Sequence, residues 1–143
     1  MALTTYQGFR LKMINGTLPD LTAPGDVRCM AMTNAYTPNI VTDVNPNDIT
    51  ASECSRTSYA RQDLAGVAVT WDAGNVRYKL DVTDFTFGIL EAGETLAHLV
   101  YYIHVTDDTD GILIGYDNHA DVVLDGTSPL NVTVDTDGLI VWW

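Results

Sequence analysis

Residues 67–82, VAVTWDAGNVRYKLDV, are the stretch of sequence that decides the fold. Two alternating runs flank DAGN, whose Asp, Gly and Asn residues are typical of a hairpin turn. In the second run Val76, Tyr78, Leu80 and Val82 share one face, and the charged residues occupy the other. This pattern predicts an antiparallel hairpin with one buried side.

Strand patterns continue on both sides of this hairpin. The run TLAHLVYYIHV at 95–105 is the longest apolar stretch and predicts a central strand, and VRCMAMT at 27–33 alternates. Four shorter apolar runs follow residue 105 and are separated by turn residues: GILIGY, ADVVL, LNVTV and LIVWW. Several short strands at close spacing predict an all-β fold, either an antiparallel β-sandwich or a barrel-like domain.

The N-terminus has a weaker, helical pattern. Tyr6, Phe9 and Met13 recur at helical spacing, and Gly16 follows them as a residue that can end a helix. We therefore expect a short helix over residues 4–15.

A long segment without periodic apolar residues separates the first strand from the hairpin. Residues 34–63 contain two prolines and predict an irregular loop. Loops of this length in a compact domain are usually functional or ordered by a partner. The predicted organisation is an N-terminal arm or short helix at 1–26 and a single β-rich domain at 27–143.

The net charge of −12 is concentrated in one part of the 143-residue chain. Residues 1–80 carry seven Lys and Arg and seven Asp and Glu, whereas residues 81–143 carry twelve Asp and Glu and no Lys or Arg. This acidity argues against nucleic acid or an anionic membrane as a partner. It is typical of a solvated outer surface, and cation binding or a basic partner are the alternatives.

Compartment signals are few. No apolar run approaches the ~18–20 residues that span a bilayer, and no secretory signal precedes the domain. We therefore expect synthesis in a cytoplasm, with Cys29 and Cys54 as buried thiols rather than a disulfide.

The tetrapeptide DTDG occurs at 108–111 and again at 135–138. An EF-hand calcium loop needs oxygen ligands at positions 1, 3 and 5, Gly at 6 and Glu at 12. With Gly111 at position 6, Thr106 falls at position 1, and the second copy reaches the end of the sequence before position 12. Asp-Gly between apolar runs is a strong hairpin signal, so both segments are predicted to be turns.

Catalytic signatures are absent from the sequence. His98 and His104 are six residues apart on one predicted strand, about 20 Å, which is too far to share a metal. His119 could join Asp117 and Asp121 at a metal, although solvated turn residues are the simpler interpretation. No nucleophile or metalloprotease motif is present. We expect no enzymatic activity, no cofactor and no metal.

The C-terminal run LIVWW is apolar on both strand faces. A strand of this kind is either central in its sheet or pressed against another chain, because a solvated edge alternates with polar residues. Tryptophan is enriched at interface hot spots. The candidate interface residues come from this run and from the 34–63 loop: Tyr36, Pro38, Asn39, Ile40, Tyr59, Trp142 and Trp143.

Four segments, in order, resemble small virion proteins of tailed bacteriophages. They are VRCMAMTNAYTPN at 27–39, SRTSYARQDLAGVAVTWDAGNVRYKLDVTDFTF at 55–87, LVYYIHVTDDTDGILIGYDN at 99–118 and VTVDTDGLIVWW at 132–143. The N-terminal FRLKMINGTLPDLTAPGD departs from the family pattern, which begins with a clearer helix and an acidic step.

The resemblance is strongest to capsid decoration, or cement, proteins. It implies a non-enzymatic protein on the capsid surface of a virion, made in the host bacterial cytoplasm. Its implied partner is the major capsid protein, and its implied state is a homo-oligomer, with a trimer favoured. A tail, fibre or head–tail junction protein is the alternative. A calcium-assisted carbohydrate-binding module is the rival from another class, motivated by the acidic turns, seven tyrosines and three tryptophans.

Overall fold

The computed structural model describes residues 3–23 and 25–142. Helix α1 spans Gln7–Ile14, and two short 3-10 helices span Pro46–Asp48 and Thr50–Ser52. The strands are β1 Thr4–Thr5, β2 Val27–Thr33, β3 Gln62–Asp63, β4 Ala68–Asp72, β5 Arg77–Asp81, β6 Phe85–Ile89, β7 Thr95–Ile103, β8 Ile112–Val123, β9 Pro129–Val132 and β10 Ile140–Trp142.

The strands form three antiparallel sheets. Their orders are β1-β8-β7-β2-β3, β10-β5-β4 and β6-β9. This confirms the predicted all-β fold with a short helix and a long irregular loop, and the sheets do not close into a barrel.

Strand β7 is the middle strand of the largest sheet, as its apolar run predicts. Leu99, Tyr101 and Ile103 face a main core that all three sheets enclose. Val100 and Tyr102 face a second core on the opposite side of the same sheet. A strand buried on both faces needs apolar residues at every position, which explains why TLAHLVYYIHV does not alternate.

The second core lies under the 34–63 loop. It contains eight buried side chains: Tyr6, Met30, Met32, Tyr36, Ile49, Val100, Tyr102 and Leu113. Tyr36 and Ile49 come from the loop itself. The 34–63 loop therefore covers one face of the largest sheet. The packing of Tyr36 and Ile49 in the second core holds the backbone of the loop in place.

The helix is shorter than predicted. Thr4 and Thr5 pair with β8 instead, and the extended Tyr6 donates its N–H to the Ile114 carbonyl at 3.0 Å. Gly16 ends the helix with a φ of +65°, the left-handed conformation that glycine adopts readily. Phe9 is fully buried in the main core, so the N-terminal arm is built into the domain.

The hairpin forms where the DAGN turn predicts it. Asp72 pairs with Arg77, and residues 73–76 connect the strands. Leu80 and Val82 are buried as predicted, but Val76 is 66% exposed and Tyr78 47% exposed. The predicted buried face is therefore wrong for its first half, because the hairpin extends beyond the core.

Strand β10 pairs only with β5 among the described residues and lies at the edge of its sheet. A central position for LIVWW, one of the two predicted alternatives, is thus not found. None of the described helices is long and apolar enough to cross a bilayer.

Candidate interaction surface

The exposed end of the β4–β5 hairpin carries a cluster of apolar side chains, the hairpin patch: Val69, Trp71, Val76 and Tyr78. Trp71 lies opposite Tyr78 in the register, and their ring centroids are 4.9 Å apart. Trp71 is 50% exposed. Half-exposed aromatic rings that already contact each other are typical of interface anchors, since they lose little conformational freedom on binding.

The other face of the hairpin is held by ion pairs. The Arg77 guanidinium bonds Asp72 at 3.1 Å and also contacts Asp137 of the second DTDG turn. The hydrogen bond with Asp72 is the first cause of the raised pKa of Arg77. Lys79 donates to the Thr136 carbonyl at 2.8 Å. The second DTDG turn therefore supports the hairpin from behind.

Val76 has an unfavourable backbone conformation. Its φ is +54°, the only positive value among non-glycine residues in the described ranges 3–23 and 25–142. A β-branched residue in this region is strained, and glycine or asparagine would fit better. Such strain often accompanies functional positions. Because Val76 is both strained and exposed, this turn is a candidate functional position.

The outer edge of β4 has free backbone groups. The Leu80 carbonyl accepts a hydrogen bond from Leu139 on the β10 side, at 2.8 Å. Because antiparallel ladders alternate, Leu80 turns its backbone away from its partner Val69. The N–H and C=O groups of Val69 and Trp71 consequently point outward from the sheet. Strand β4 contains no Pro, Lys or register shift, the usual devices that protect an edge.

A second exposed apolar cluster, the helix–loop patch, lies where α1 meets the 34–63 loop: Leu11, Ile14, Val41 and Val44. The Gln7 N–H donates to the Ile40 carbonyl at 2.8 Å, and Val44 lies against Gly8. Leu11 is one helical turn beyond Gln7, so it continues the side of the helix that meets the loop. Ile14 is 78% exposed.

Arg61 anchors the end of the long loop through two carboxylates. It bonds Glu53 at 2.8 and 2.7 Å and Asp108 at 2.9 Å. Its guanidinium also lies 5.4 Å from the ring centre of Tyr102. The hydrogen bonds to Glu53 are the first cause of the raised pKa of Arg61. Asp108 belongs to the first DTDG, so this turn fastens the loop onto the β7–β8 connection.

The remaining carboxylate of the first DTDG turn, Asp110, bonds the backbone of its own connection. Asp110 accepts from the N–H groups of Thr106 and Asp107, at 2.9 and 3.0 Å, and these bonds lower the pKa of Asp110. The segment connects β7 to β8 and is a turn, as predicted. In the second copy Gly138 has a φ of +75° and lies against the Leu80 carbonyl.

His98 and His104 do not join a metal site, and the side chain of His119 lies outside the part of the chain that the structure describes. His98 lies in β7 with its ring edge-on to Tyr36 and Tyr116, and His104 follows the strand. The β7–β8 register shifts between Asn118 and Val122, which interrupts the alternation predicted for residues 117–121. Within the ranges that the structure describes, no three His, Cys, Asp or Glu side chains come together as a potential metal site. Cys29 and Cys54 are buried and unbridged.

Two of the sequence-predicted interface residues are structural supports. Tyr36 is buried, and its hydroxyl bonds Tyr6 at 2.6 Å and Asp43 at 2.8 Å. Tyr59 accepts from the Ala31 N–H at 3.0 Å and stacks on Phe87. Burial is the first cause of the raised pKa of both tyrosines.

The other predicted residues lie at two places. Pro38 and Ile40 are partly buried, and Asn39 is exposed with its side chain capping the following turn. All three adjoin the helix–loop patch. Trp142 pairs with Tyr78 in the register of β10 and β5, but its side chain, like the whole of Trp143, lies outside the described residues.

Sequence reasoning missed Trp71 and the turn next to it. The available signal was that VAVTW remains apolar up to the turn, with Trp71 opposite Tyr78 across a four-residue connection. A hairpin that extends beyond the hydrophobic core exposes the residue pairs nearest its turn.

One groove lies beside the base of β4. It has a volume of about 500 Å³ and is lined by residues 22, 23, 25 and 63–67. Its carboxylate, Asp63, bonds Arg28 at 2.8 Å. This groove offers shape and apolar surface rather than reactive groups.

Comparison with protein-family models, with curated proteins and with solved structures finds no match to this chain.

Proposed function

We propose that this protein is a non-enzymatic structural component of a phage virion, a capsid decoration protein that binds the major capsid protein lattice and stabilises it. The observation that carries the proposal is the placement of exposed apolar surface. Of the twelve exposed large apolar side chains in the described residues, eight lie in residues 1–80. That part has no net charge, whereas residues 81–143 carry −12.

Exposed apolar side chains outside the strongly acidic segment suit a protein that binds a partner surface. Apolar clusters without net charge are desolvated at low cost, so they make suitable contacts. An acidic outer surface repels other acidic particles and keeps them dispersed. We assign the lattice to a major capsid protein because residues 27–143 contain, in order, segments that resemble virion proteins. The same resemblance favours three copies in the assembled state.

The helix–loop patch is the proposed contact with the lattice. It combines four exposed apolar side chains with the cations Arg10 and Lys12, and it adjoins Pro38, Asn39 and Ile40. Long, well-held loops on a rigid sheet are common binding elements. The buried Tyr36 and the Arg61 pairs stabilise this loop in one conformation, which reduces the entropy lost on binding.

Co-sedimentation with capsids that lack the protein tests this proposal. We expect the wild-type chain to pellet with capsids and Val41→Asp to bind at least tenfold more weakly. Val41 is 62% exposed, so its replacement leaves the fold intact. Val123→Asp is the matched control, because Val123 is 72% exposed in the acidic part. A wild-type chain without capsid affinity, or equal binding of both variants, contradicts the proposal.

Placement in a tail, fibre or head–tail junction is the alternative within the same class. Images of virions that lack the protein separate the two, since loss of a decoration protein leaves the tail complete.

Carbohydrate binding is a second candidate function, and the exposed Trp71 and Tyr78 rings favour it. Their planes are inclined at 59°, so they do not form a flat platform. Melting curves with EDTA and with excess calcium discriminate, because a ligand that binds only the folded state raises Tm. A calcium-dependent rise of many degrees would support the carbohydrate-binding candidate.

A further inference from the structure

The free edge of β4 is complementary to itself. The outward backbone groups belong to Val69 and Trp71, which lie symmetrically about Thr70. A two-fold axis through Thr70 places Val69 opposite Trp71 of a second copy, and Trp71 opposite that copy's Val69. Each pair then exchanges two N–H to C=O hydrogen bonds. If the two-fold axis passed through Val69 or through Trp71 instead, one of the two outward-pointing residues of β4 would lie opposite a residue outside the strand.

Side chains agree with this register. Residues directly opposite each other in an antiparallel pair share one face. Val69 of each copy therefore meets Trp71 of the other, next to Tyr78, and the two hairpin patches merge into one band. On the polar face Thr70 meets Thr70, and Ala68 meets Asp72, so no like charges oppose each other.

The groove at the base of β4 lies where the second copy's turn would reach. In the register centred on Thr70, Asp72 of one copy lies opposite Ala68 of the other, so the turn that follows Asp72 extends past Ala68 towards residues 66 and 67. Residues 64–67 line the groove of about 500 Å³. The strained and exposed Val76 lies in that turn, and a groove of this size accommodates an apolar side chain.

We infer that β4 pairs antiparallel with β4 of a second copy about this two-fold axis, joining two three-stranded sheets into one of six strands. The contact is a second interaction surface and is independent of the proposed capsid binding. It involves the hairpin patch, whereas the lattice contact involves the helix–loop patch.

The predicted interface is small. Fully burying an aromatic side chain removes about 150–250 Å², so half-exposed Trp71 and Tyr78 offer about 300–500 Å² over two copies. Stable interfaces bury about 1,200–2,000 Å². The dimer should therefore be weak, and the fraction of the chain in dimers should depend on protein concentration.

Cysteine cross-linking tests the register directly. In this arrangement Thr70 opposes its own copy in a non-hydrogen-bonded pair, where Cα atoms are about 4.5 Å apart, within the range of a disulfide. We expect Thr70→Cys to give a covalent dimer as the main product under mild oxidation. Ala68→Cys is the matched control on the same face, with its two copies about 13 Å apart. The native cysteines are buried and do not compete.

Sedimentation of the wild-type chain provides a second measurement that needs no variant. The mass should rise from 15.6 kDa towards twice that value as concentration increases. Val76→Asn should keep the fold, since asparagine tolerates positive φ, and should lower the dimer fraction several-fold at equal concentration.

Three results would overturn the inference. They are equal cross-linking of Thr70→Cys and Ala68→Cys, a strict monomer up to millimolar concentration, and a trimer in which Thr70→Cys does not cross-link. Failure of the capsid-binding proposal has a different signature. In that case the dimer forms and cross-links at Thr70, but neither it nor the monomer pellets with capsids.

Discussion

Replacing Arg61 by methionine should destabilise the protein through the loss of one cation shared by two carboxylates. Methionine keeps much of the apolar stem of the side chain, so the change isolates the charged group. The Arg61 side chain is 21% exposed, and its partners Glu53 and Asp108 are 12% and 34% exposed. Tyr59 continues to donate to Glu53 in the variant, at 2.7 Å.

The magnitude follows from the burial of each partner. A carboxylate as buried as Glu53 loses about 2 kcal/mol when its cation is removed, less than the ~3–5 kcal/mol of a fully buried pair. The more exposed Asp108 adds about 0.5–1 kcal/mol. The expected loss is about 2.5–3 kcal/mol, which corresponds to a fall in Tm of roughly 8–12 °C for a chain of this size.

Chemical denaturation measured by circular dichroism gives the free energy of unfolding, and Arg28→Met is the matched control. Arg28 also bonds a carboxylate, at 2.8 Å, but Asp63 is 64% exposed, so its loss should be below about 1 kcal/mol. Arg61→Lys should lie between the two, because lysine retains the charge without the planar fork. Equal and small losses for Arg61→Met and Arg28→Met would refute the reasoning.

Three further predictions concern the turns and pH. Val76→Asn should raise the free energy of unfolding by about 0.5–1 kcal/mol, since it relieves a positive φ, and a fall would contradict the assigned strain. Gly138→Ala should destabilise by at least about 2 kcal/mol, because its Cβ would lie 2.5 Å from the Leu80 carbonyl at a φ of +75°; calorimetry of this variant with Gly74→Ala as control measures it. Burial raises the pKa of Glu94, but hydrogen bonds from Ser55, Cys54 and Arg56 together outweigh it, so the pKa falls from 4.5 to about 2. A carboxyl with a lowered folded pKa stabilises above its unfolded pKa, so stability should fall as pH drops from about 5 to 2, and Glu94→Gln should flatten this dependence in acid denaturation curves.

The architecture was predictable where a local pattern and the tertiary environment agree. TLAHLVYYIHV is apolar at nearly every position, and β7 is buried on both faces. DAGN predicts a turn, and the chain reverses there. In each case the residues involved are neighbours in sequence, so the pattern carries the information.

Contacts between distant residues escaped prediction. Arg61 reaches Asp108 across 47 positions, and nothing in the local sequence distinguishes it from the other four arginines and the two lysines. The exposed half of the hairpin was missed for a related reason. Alternation predicts which side chains share a face, but the length of that face covered by the core depends on other strands.

The pairing of β2 with β7 has a consequence for synthesis. Met30 lies opposite Val100, so β2 meets its long partner strand only after some 70 further residues have been made. At about 5–20 residues per second, this leaves the edge of β2 that faces β7 unpaired for roughly 4–14 seconds on the ribosome. The short β4–β5 hairpin can form within microseconds once it has left the ribosome. It belongs to a different sheet and does not pair with β2. Nascent chains truncated before residue 95 should therefore bind chaperones, and those that include residue 103 should be released.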